Sequence, residues 1–372
     1  MDATSPSPAA APRIAIDPAP HARAVSPIKP VVIRASQAQL SAVLLTNPEG
    51  RAVRGAFSAD RSRWTSAEPL GYGRAYVVSA TARGSTGAAV RASSSFQTLS
   101  PVRTIFPSFF PPPSTRTVGV GQPLAVIFDK PVVDKAAAER ALRVSTSPRV
   151  AGSWYWFDDR NVHWRPRTYW RAGTRVTINA KVYGVHLGGG GYGETDRTMS
   201  FTIGRSKIAV VNDRTHMMRV YVDGKYVRTI PVSLGRNQTV VGAGGKRISM
   251  RTQSGIHVVA EKYRVKRMTS ASFGLPSNYS LGYDSVIPLA VRISNSGEFV
   301  HSAPWSVADQ GRRNVSHGCV NLPPDAARWF YRTFSYGDVV DIRNTGVALR
   351  RTDGFADWNI PWSTWLRGSA LR

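Results

Sequence analysis

A single cysteine, Cys319, stands among 372 residues, so no intrachain disulfide can form and the fold rests on packing alone. Long apolar runs are missing too: no stretch reaches the roughly 18 consecutive apolar residues of a membrane-spanning helix. Residues 1–30 show no positively charged start leading into an apolar segment, so neither a signal peptide nor a membrane anchor is expected within this sequence. Acidic residues are scarce as well. Lys and Arg number 49 against 23 Asp and Glu, a formal charge of +26, and such a surface attracts polyanions. The cations are scattered through strand-like segments and form no recognition helix, zinc finger or aromatic RNA-binding motif, which argues against nucleic acid as the partner. An anionic cell-wall polymer or membrane surface suits the charge equally well.

Glycine and proline are plentiful, at 32 and 25 residues, and favour short strands joined by turns. The length predicts about three units of 100–150 residues each. The expected class is mainly β. Residues 1–30, with Pro6, Pro8, Pro12, Pro18, Pro20, Pro27 and Pro30 among Ala and Ser, read as a flexible tether. Residues 31–100 alternate in short segments and predict a β-sandwich. A proline-rich connection, including Pro111-Pro112-Pro113, leads through a second β-rich unit at 101–204. Trp64, Gly73, Val78 and Ala80 recur as Trp164, Gly173, Ile178 and Ala180 at a constant offset of 100, which points to a duplicated module with the tryptophan, turn and strand order of immunoglobulin-like sandwiches. The Gly188-Gly189-Gly190-Gly191 run lacks the Lys-Ser/Thr pair of a phosphate cradle and reads as a hairpin loop.

A third unit, 205–345, opens with strand-like residues 207–211 and 216–222, then Asp223-Gly224 as a two-residue hairpin signal. Pro323-Pro324-Asp325 marks a short helix with Ala326, Trp329, Phe330 and Thr333 on one face and Gly337 at its end. Cys319 therefore sits on a loop between strand and helix. Residues 346–372 carry Asp357-Trp358-Asn359-Ile360-Pro361-Trp362 and are expected to pack back onto the body.

Chemistry concentrates in two segments, His301-Ser302-Ala303-Pro304-Trp305 and Ser316-His317-Gly318-Cys319-Val320-Asn321. A free thiol has a pKa of about 8.5 and needs a neighbouring base to be useful at neutral pH. His301, at the end of a strand-like segment, is the base candidate, and Ser302 beside it could orient its ring through side chain or carbonyl. Inward-turned backbone N–H groups of His317, Gly318 and Cys319 would make an oxyanion hole, with Gly318 allowing the close approach. Two other readings remain open on these residues alone: Cys319 as an inert buried apolar residue, and a zinc site of His301, His317 and Cys319.

These segments, with Gln310-Gly311, Asn314 and the tail Asp357 to Trp362, closely resemble the catalytic domain of L,D-transpeptidases. The likeness is to the actinobacterial type with immunoglobulin-like modules in front. The resemblance implies two immunoglobulin-like β-sandwiches followed by a mixed, mostly β catalytic domain with one short helix after the cysteine. It also implies peptidoglycan cross-linking in an extracytoplasmic compartment, with donor and acceptor stem peptides as partners. Cys319 would attack the carbonyl of the third stem residue of a tetrapeptide and expel D-Ala, and a neighbouring stem's amine would resolve the thioester. His301 would be the base, Ser302 its support, and His317 and Gly318 the oxyanion side. Asn321, Ser316 and Trp305 fall at the substrate site, Met268 and Tyr283 at lid and pocket positions. A carbapenem is expected to acylate Cys319, and neither metal nor organic cofactor is implied. L,D-carboxypeptidase action, with water as acceptor, and a non-catalytic wall-binding role are the alternatives. The resemblance weakens across 235–255, where Lys246, Arg247 and Arg251 in an apparently longer loop at 238–250 could touch a stem carboxylate or simply face solvent.

Overall fold

The computed structural model describes residues 11–85 and 87–371. It divides into two compact units, residues 1–106 with 182–196, and residues 107–181 with 197–372. None of its helices is long and apolar enough to cross a membrane, among the described residues.

The first unit is a sandwich of two antiparallel sheets. One holds strands Arg13–Asp17, Val32–Ser36, Arg63–Ser66 and Gly55–Phe57, and the other Ala38–Thr46, Ala75–Gly84 and Ala89–Gln97. Ile33, Leu40, Trp64 and Val78 fill its core. The expectation of a flexible tether over residues 1–30 is corrected for Arg13–Asp17, which pairs antiparallel with Val32–Ser36 and packs Ile14 and Ile16 on the core. Pro12 and Pro18 flank this strand instead of interrupting it, so the period-two alternation of isoleucines prevails over the surrounding proline. Residues 1–10 of the expected tether lie outside the described residues.

A second correction concerns residues 182–196, expected in the second module. They fold with the first unit, where Gly191–Gly193 pairs parallel with Arg103–Ile105 and Tyr72 donates its hydroxyl to the Gly193 carbonyl at 2.7 Å. Long-range tyrosine contacts of this sort leave no local signature. The glycine run forms the expected hairpin turn, with Gly188, Gly189 and Gly190 all at positive φ and an antiparallel bridge from His186 to Tyr192.

In the second unit, residues 107–181 and 197–203 form another sandwich. One sheet contains Gly152–Trp156, Asn161–Pro166, Leu124–Phe128 and Pro107–Phe110; the other contains Thr117–Val118, Arg197–Ile203, Arg175–Ala180 and Leu142–Ser147. The offset-100 repeat has a structural counterpart. A Cβ on Gly55 would lie 2.0 Å from the Trp64 ring, and one on Gly152 would lie 2.2 Å from the Trp164 ring. Each module thus leaves its tryptophan a bare backbone on the neighbouring strand.

The remaining residues build two sheets around one core. A five-stranded sheet runs Lys225–Pro231, Met217–Val222, Lys207–Asn212, Val339–Arg343, Gly255–Val258. The other has four strands, Glu261–Thr269 (β1), Asp284–Arg292 (β2), Phe299–Ser302 (β3) and Val320–Leu322 (β4), in that order. Helix α1, Pro324–Thr333, follows β4 and buries Ala326, Ala327 and Phe330 between them. The expected helical face holds for Ala326 and Phe330, with Trp329 half-buried at its margin. Asp223 and Gly224 both take positive φ, as the tight hairpin between Met217–Val222 and Lys225–Pro231 requires. The 238–250 loop carries a small hairpin of its own, Thr239–Val241 with Arg247–Ser249.

The tail clamps the second module to this fold. Trp365 is fully buried, donates its indole N–H to the Ser153 carbonyl at 2.9 Å and stacks on Tyr155. The Arg165 guanidinium lies 4.3 Å over the Trp365 ring and 4.8 Å over that of Trp358, and donates to the Ile360 carbonyl at 2.7 Å. His163 and Asp357 meet at 2.8 Å beneath them. On the other side Asn359 accepts from the Ile256 N–H at 2.8 Å, which ties the tail to the five-stranded sheet.

Candidate active site

Cys319 immediately precedes β4, which pairs parallel with β3 in the register Val300↔Val320, His301↔Asn321, Ser302↔Leu322. That register brings the histidine strand and the cysteine loop to one end of the sheet. The loop is closed by Ser316, whose hydroxyl donates to the Cys319 carbonyl at 2.7 Å and accepts from the Gly318 N–H at 3.1 Å. Gly318 has φ +124°, a conformation L side chains rarely adopt, while the space beside it is open enough for a methyl group. Backbone conformation, more than crowding, demands glycine there.

The Gly318 N–H donates to the Ser316 hydroxyl in a local side-chain turn, so of the three expected oxyanion donors it has a partner within its own loop.

His301 is buried and its Nδ1–H donates to the Ser302 carbonyl at 2.8 Å. A carbonyl can only accept, so this bond fixes the tautomer and leaves Nε2 with a free lone pair. Ser302 thus touches the ring through its main-chain carbonyl. Burial pushes the His301 pKa down to about 4, against a smaller upward pull from the Ser302 carbonyl. Burial also pushes the Cys319 thiol up to about 12; the Phe299 N–H opposes this and the Glu298 carboxylate adds to it. Its Sγ lies 3.8 Å from the Gly297 carbonyl oxygen.

A cavity of about 410 Å³ opens over these groups and is lined by Met268, Tyr283, His301, Trp305, Ser316, His317, Cys319 and Asn321. Of the catalytic and substrate-site residues that the resemblance implies, all but Ser302 and Gly318 border it. The Trp305 ring stacks 6.0 Å from His301 and is largely exposed at the mouth. His317 donates Nε2–H to the Leu281 carbonyl at 2.8 Å and packs against Tyr283. Burial keeps Tyr283 protonated well above its ordinary range, and the nearby thiol adds to the effect. Asn321 donates Nδ2–H to Ser306 Oγ at 3.0 Å, which locks its amide at the cavity floor. Met268, on β1, packs with Cys319, Ile287, Ala290 and Phe299 in a small apolar cluster. No group of three or more His, Cys, Asp or Glu among the described residues could hold a metal ion, so the zinc reading of His301, His317 and Cys319 has no geometric support.

A second cavity, about 300 Å³, shares Cys319, His317 and Tyr283 with the first. Lys246, Arg247 and Arg251, ambiguous in the sequence, border it together with Arg350, Asp353 and Glu298. Glu298 was not anticipated. It is buried, accepts the Gln253 N–H at 2.7 Å through Oε1, and has Oε2 3.8 Å from His257. Burial, reinforced by Asp353, pushes its pKa up to about 8. Arg236, in the first cavity, was also missed.

The chain matches a bacterial Ig domain family over residues 22–186 and an L,D-transpeptidase catalytic domain family over residues 206–342. It is 42% identical over 342 residues to L,D-transpeptidase 2 of Mycobacterium tuberculosis strain CDC 1551 / Oshkosh, spanning 92% of this chain and 81% of that protein. It is 40% identical over 370 residues to L,D-transpeptidase 5 of strain H37Rv, spanning 98% and 78%. Among solved structures, an LD transpeptidase in complex with imipenem superposes with a TM-score of 0.53 at 36% identity, covering 63% of this chain and 97% of that one.

Proposed function

Because the chain belongs to the L,D-transpeptidase family and cross-links peptidoglycan outside the cytoplasm, we propose that Cys319 is the nucleophile of a two-step acyl transfer between stem peptides. The carrying observation is the cavity that Cys319 and His301 both line, with His301 Nε2 left free by the Nδ1–H bond to Ser302.

In the first step the Cys319 thiol attacks the carbonyl of the third residue of a tetrapeptide donor. His301 Nε2 takes the thiol proton and passes it to the departing D-Ala nitrogen. A thioester is left on Cys319. The oxyanion falls to the protonated Tyr283 hydroxyl and the N–H groups of His317 and Cys319, since Gly318 is occupied. In the second step an amine of a neighbouring stem attacks the thioester, His301 removes its proton, and the proton returns to sulfur as the C–S bond breaks. The second cavity supports an amine acceptor over water, because it gives a second stem its own approach to Cys319. Met268 and Tyr283 cover the donor, Asn321 and Trp305 border it, and Ser316 holds the loop that carries the nucleophile. A carbapenem would acylate the same sulfur.

The test is mass spectrometry after mixing the protein with disaccharide-tetrapeptide. A cross-linked dimer is the expected product, and Cys319→Ala should remove it together with any carbapenem adduct. Tripeptide without dimer would make water the acceptor and overturn the transpeptidase assignment, while products from Cys319→Ala would overturn the nucleophile.

A further inference from the structure

The cavity that holds Cys319 and His301 also contains a cation with no anion of its own. Arg236 lines it. Its backbone N–H donates to the Ser316 carbonyl at 3.0 Å, and Gly235 bridges to Ser316, so its position is locked to the nucleophile loop. A Cβ on Gly235 would lie 1.9 Å from the Met250 carbonyl oxygen and 2.9 Å from the Gly318 nitrogen, so the chain passes here with no slack. The Arg236 Nη1 atom is shut off from solvent and finds no hydrogen-bond partner among the described residues. Asp309 borders the same cavity, but its carboxylate is held by Arg313, four residues on.

A guanidinium with one nitrogen desolvated and unpaired is costly unless something supplies the missing partner. Burial pushes its pKa down, and Asp309 only partly restores it. Beside a nucleophile that cleaves a peptide near its end, the obvious source of that charge is the substrate. Resting on the assignment of Cys319 above, we propose that Arg236 binds the terminal carboxylate of the donor stem and so selects a tetrapeptide over longer stems. The geometry of the chain favours that carboxylate: it belongs to the residue directly after the scissile carbonyl, about one Cα–Cα step of 3.8 Å away. In a pentapeptide the same point carries a neutral amide. Arginine suits the task because its planar fork can take both carboxylate oxygens.

The experiment compares two donors, both with lysine in third position so that no side-chain carboxylate competes: a tetrapeptide stem ending in free D-Ala and the same stem ending in its carboxamide. Release of D-Ala or its amide is followed by mass spectrometry. The wild-type protein should prefer the acid by about 10–100-fold in kcat/KM, the worth of one hydrogen-bonded charge. Arg236→Gln should bring the two donors within about threefold of each other, with the loss falling on KM for the acid, and Arg236→Lys should recover part of the preference. No preference in the wild type overturns the proposal, as does a preference that survives in Arg236→Gln or an equal loss on both donors. Release of D-Ala or its amide by Cys319→Ala overturns the assignment of Cys319 instead.

Discussion

Alkylation of Cys319 by iodoacetamide is expected to be slow at neutral pH and to climb with pH without a plateau. Two protonation states compete at the site: a neutral thiol beside a neutral imidazole, or a thiolate beside an imidazolium. With the thiol pushed up to about 12 and His301 down to about 4, moving the proton costs a difference of 12 − 4 = 8 units, on the order of 11 kcal/mol. Even at a separation of about 4 Å, attraction between the two charges would return only about 4 kcal/mol at an effective dielectric constant of about 20. The neutral pair therefore wins by several kcal/mol, and the proton leaves sulfur only as the substrate carbonyl is attacked.

Relative to the ordinary value of 9.0, a pKa of about 12 lowers the thiolate fraction by 12 − 9 = 3 units, about a thousandfold. The more basic thiolate is intrinsically faster, by roughly 15–30-fold for a Brønsted slope of about 0.4–0.5. The net expectation is alkylation about 30–60-fold slower than a free cysteine at pH 7.5. Intact-mass measurement between pH 6 and 10 reads this directly, since the chain has no second thiol. A flat rate from pH 6 to 8 at or above that of free cysteine would mean a preformed ion pair, and the reasoning would fail.

Glu298→Gln is expected to stabilise the fold at neutral pH. The Glu298 pKa rises from 4.5 to about 8 on folding, so the native state holds a proton that the unfolded chain releases. The wild type thus loses stability as pH rises through that window, by on the order of 3 kcal/mol between pH 5 and 7.5. Glutamine carries no such proton and can still accept the Gln253 N–H. Urea unfolding at both pH values checks this, and equal differences at the two would refute it. Trp365→Ala removes a fully buried indole, the Ser153 hydrogen bond and the Arg165 stack, and is expected to cost about 3–5 kcal/mol in thermal or urea unfolding of the second unit. A loss under 1 kcal/mol would show that the tail is not the clamp described.

What could be foreseen in the sequence depended on whether the cause was local. Asp223-Gly224 needs only its own φ angles to make a hairpin, and Pro324 with Asp325 starts a helix wherever it is placed. Cys319 and His301 stood out because a single thiol lay near two histidines in a recognisable pattern. Arg13–Asp17 was hidden by flanking prolines, although its isoleucines alternate. The packing of 182–196 with the first unit depends on tyrosine contacts over a hundred residues away. Ser316 closing on the Gly318 N–H is a matter of rotamer and loop shape. Glu298 and Arg236 could not be singled out at all, because nothing marks one carboxylate or one arginine among 49 basic residues until burial does.

The clamp of Trp358 and Trp365 on Arg165 changes what the boundary at residue 204 means mechanically. A pull applied to the second sandwich does not reach the transferase sheets through one short stretch of backbone. It is shared with a second, noncovalent strap made by the end of the chain, which grips the sandwich at Ser153 and Arg165 and the five-stranded sheet at Ile256. Two attachments resist bending where one would act as a pivot. The sandwich and the catalytic sheets therefore form a stiff lever, and the direction in which the Cys319 cleft points is set by the orientation of the sandwich.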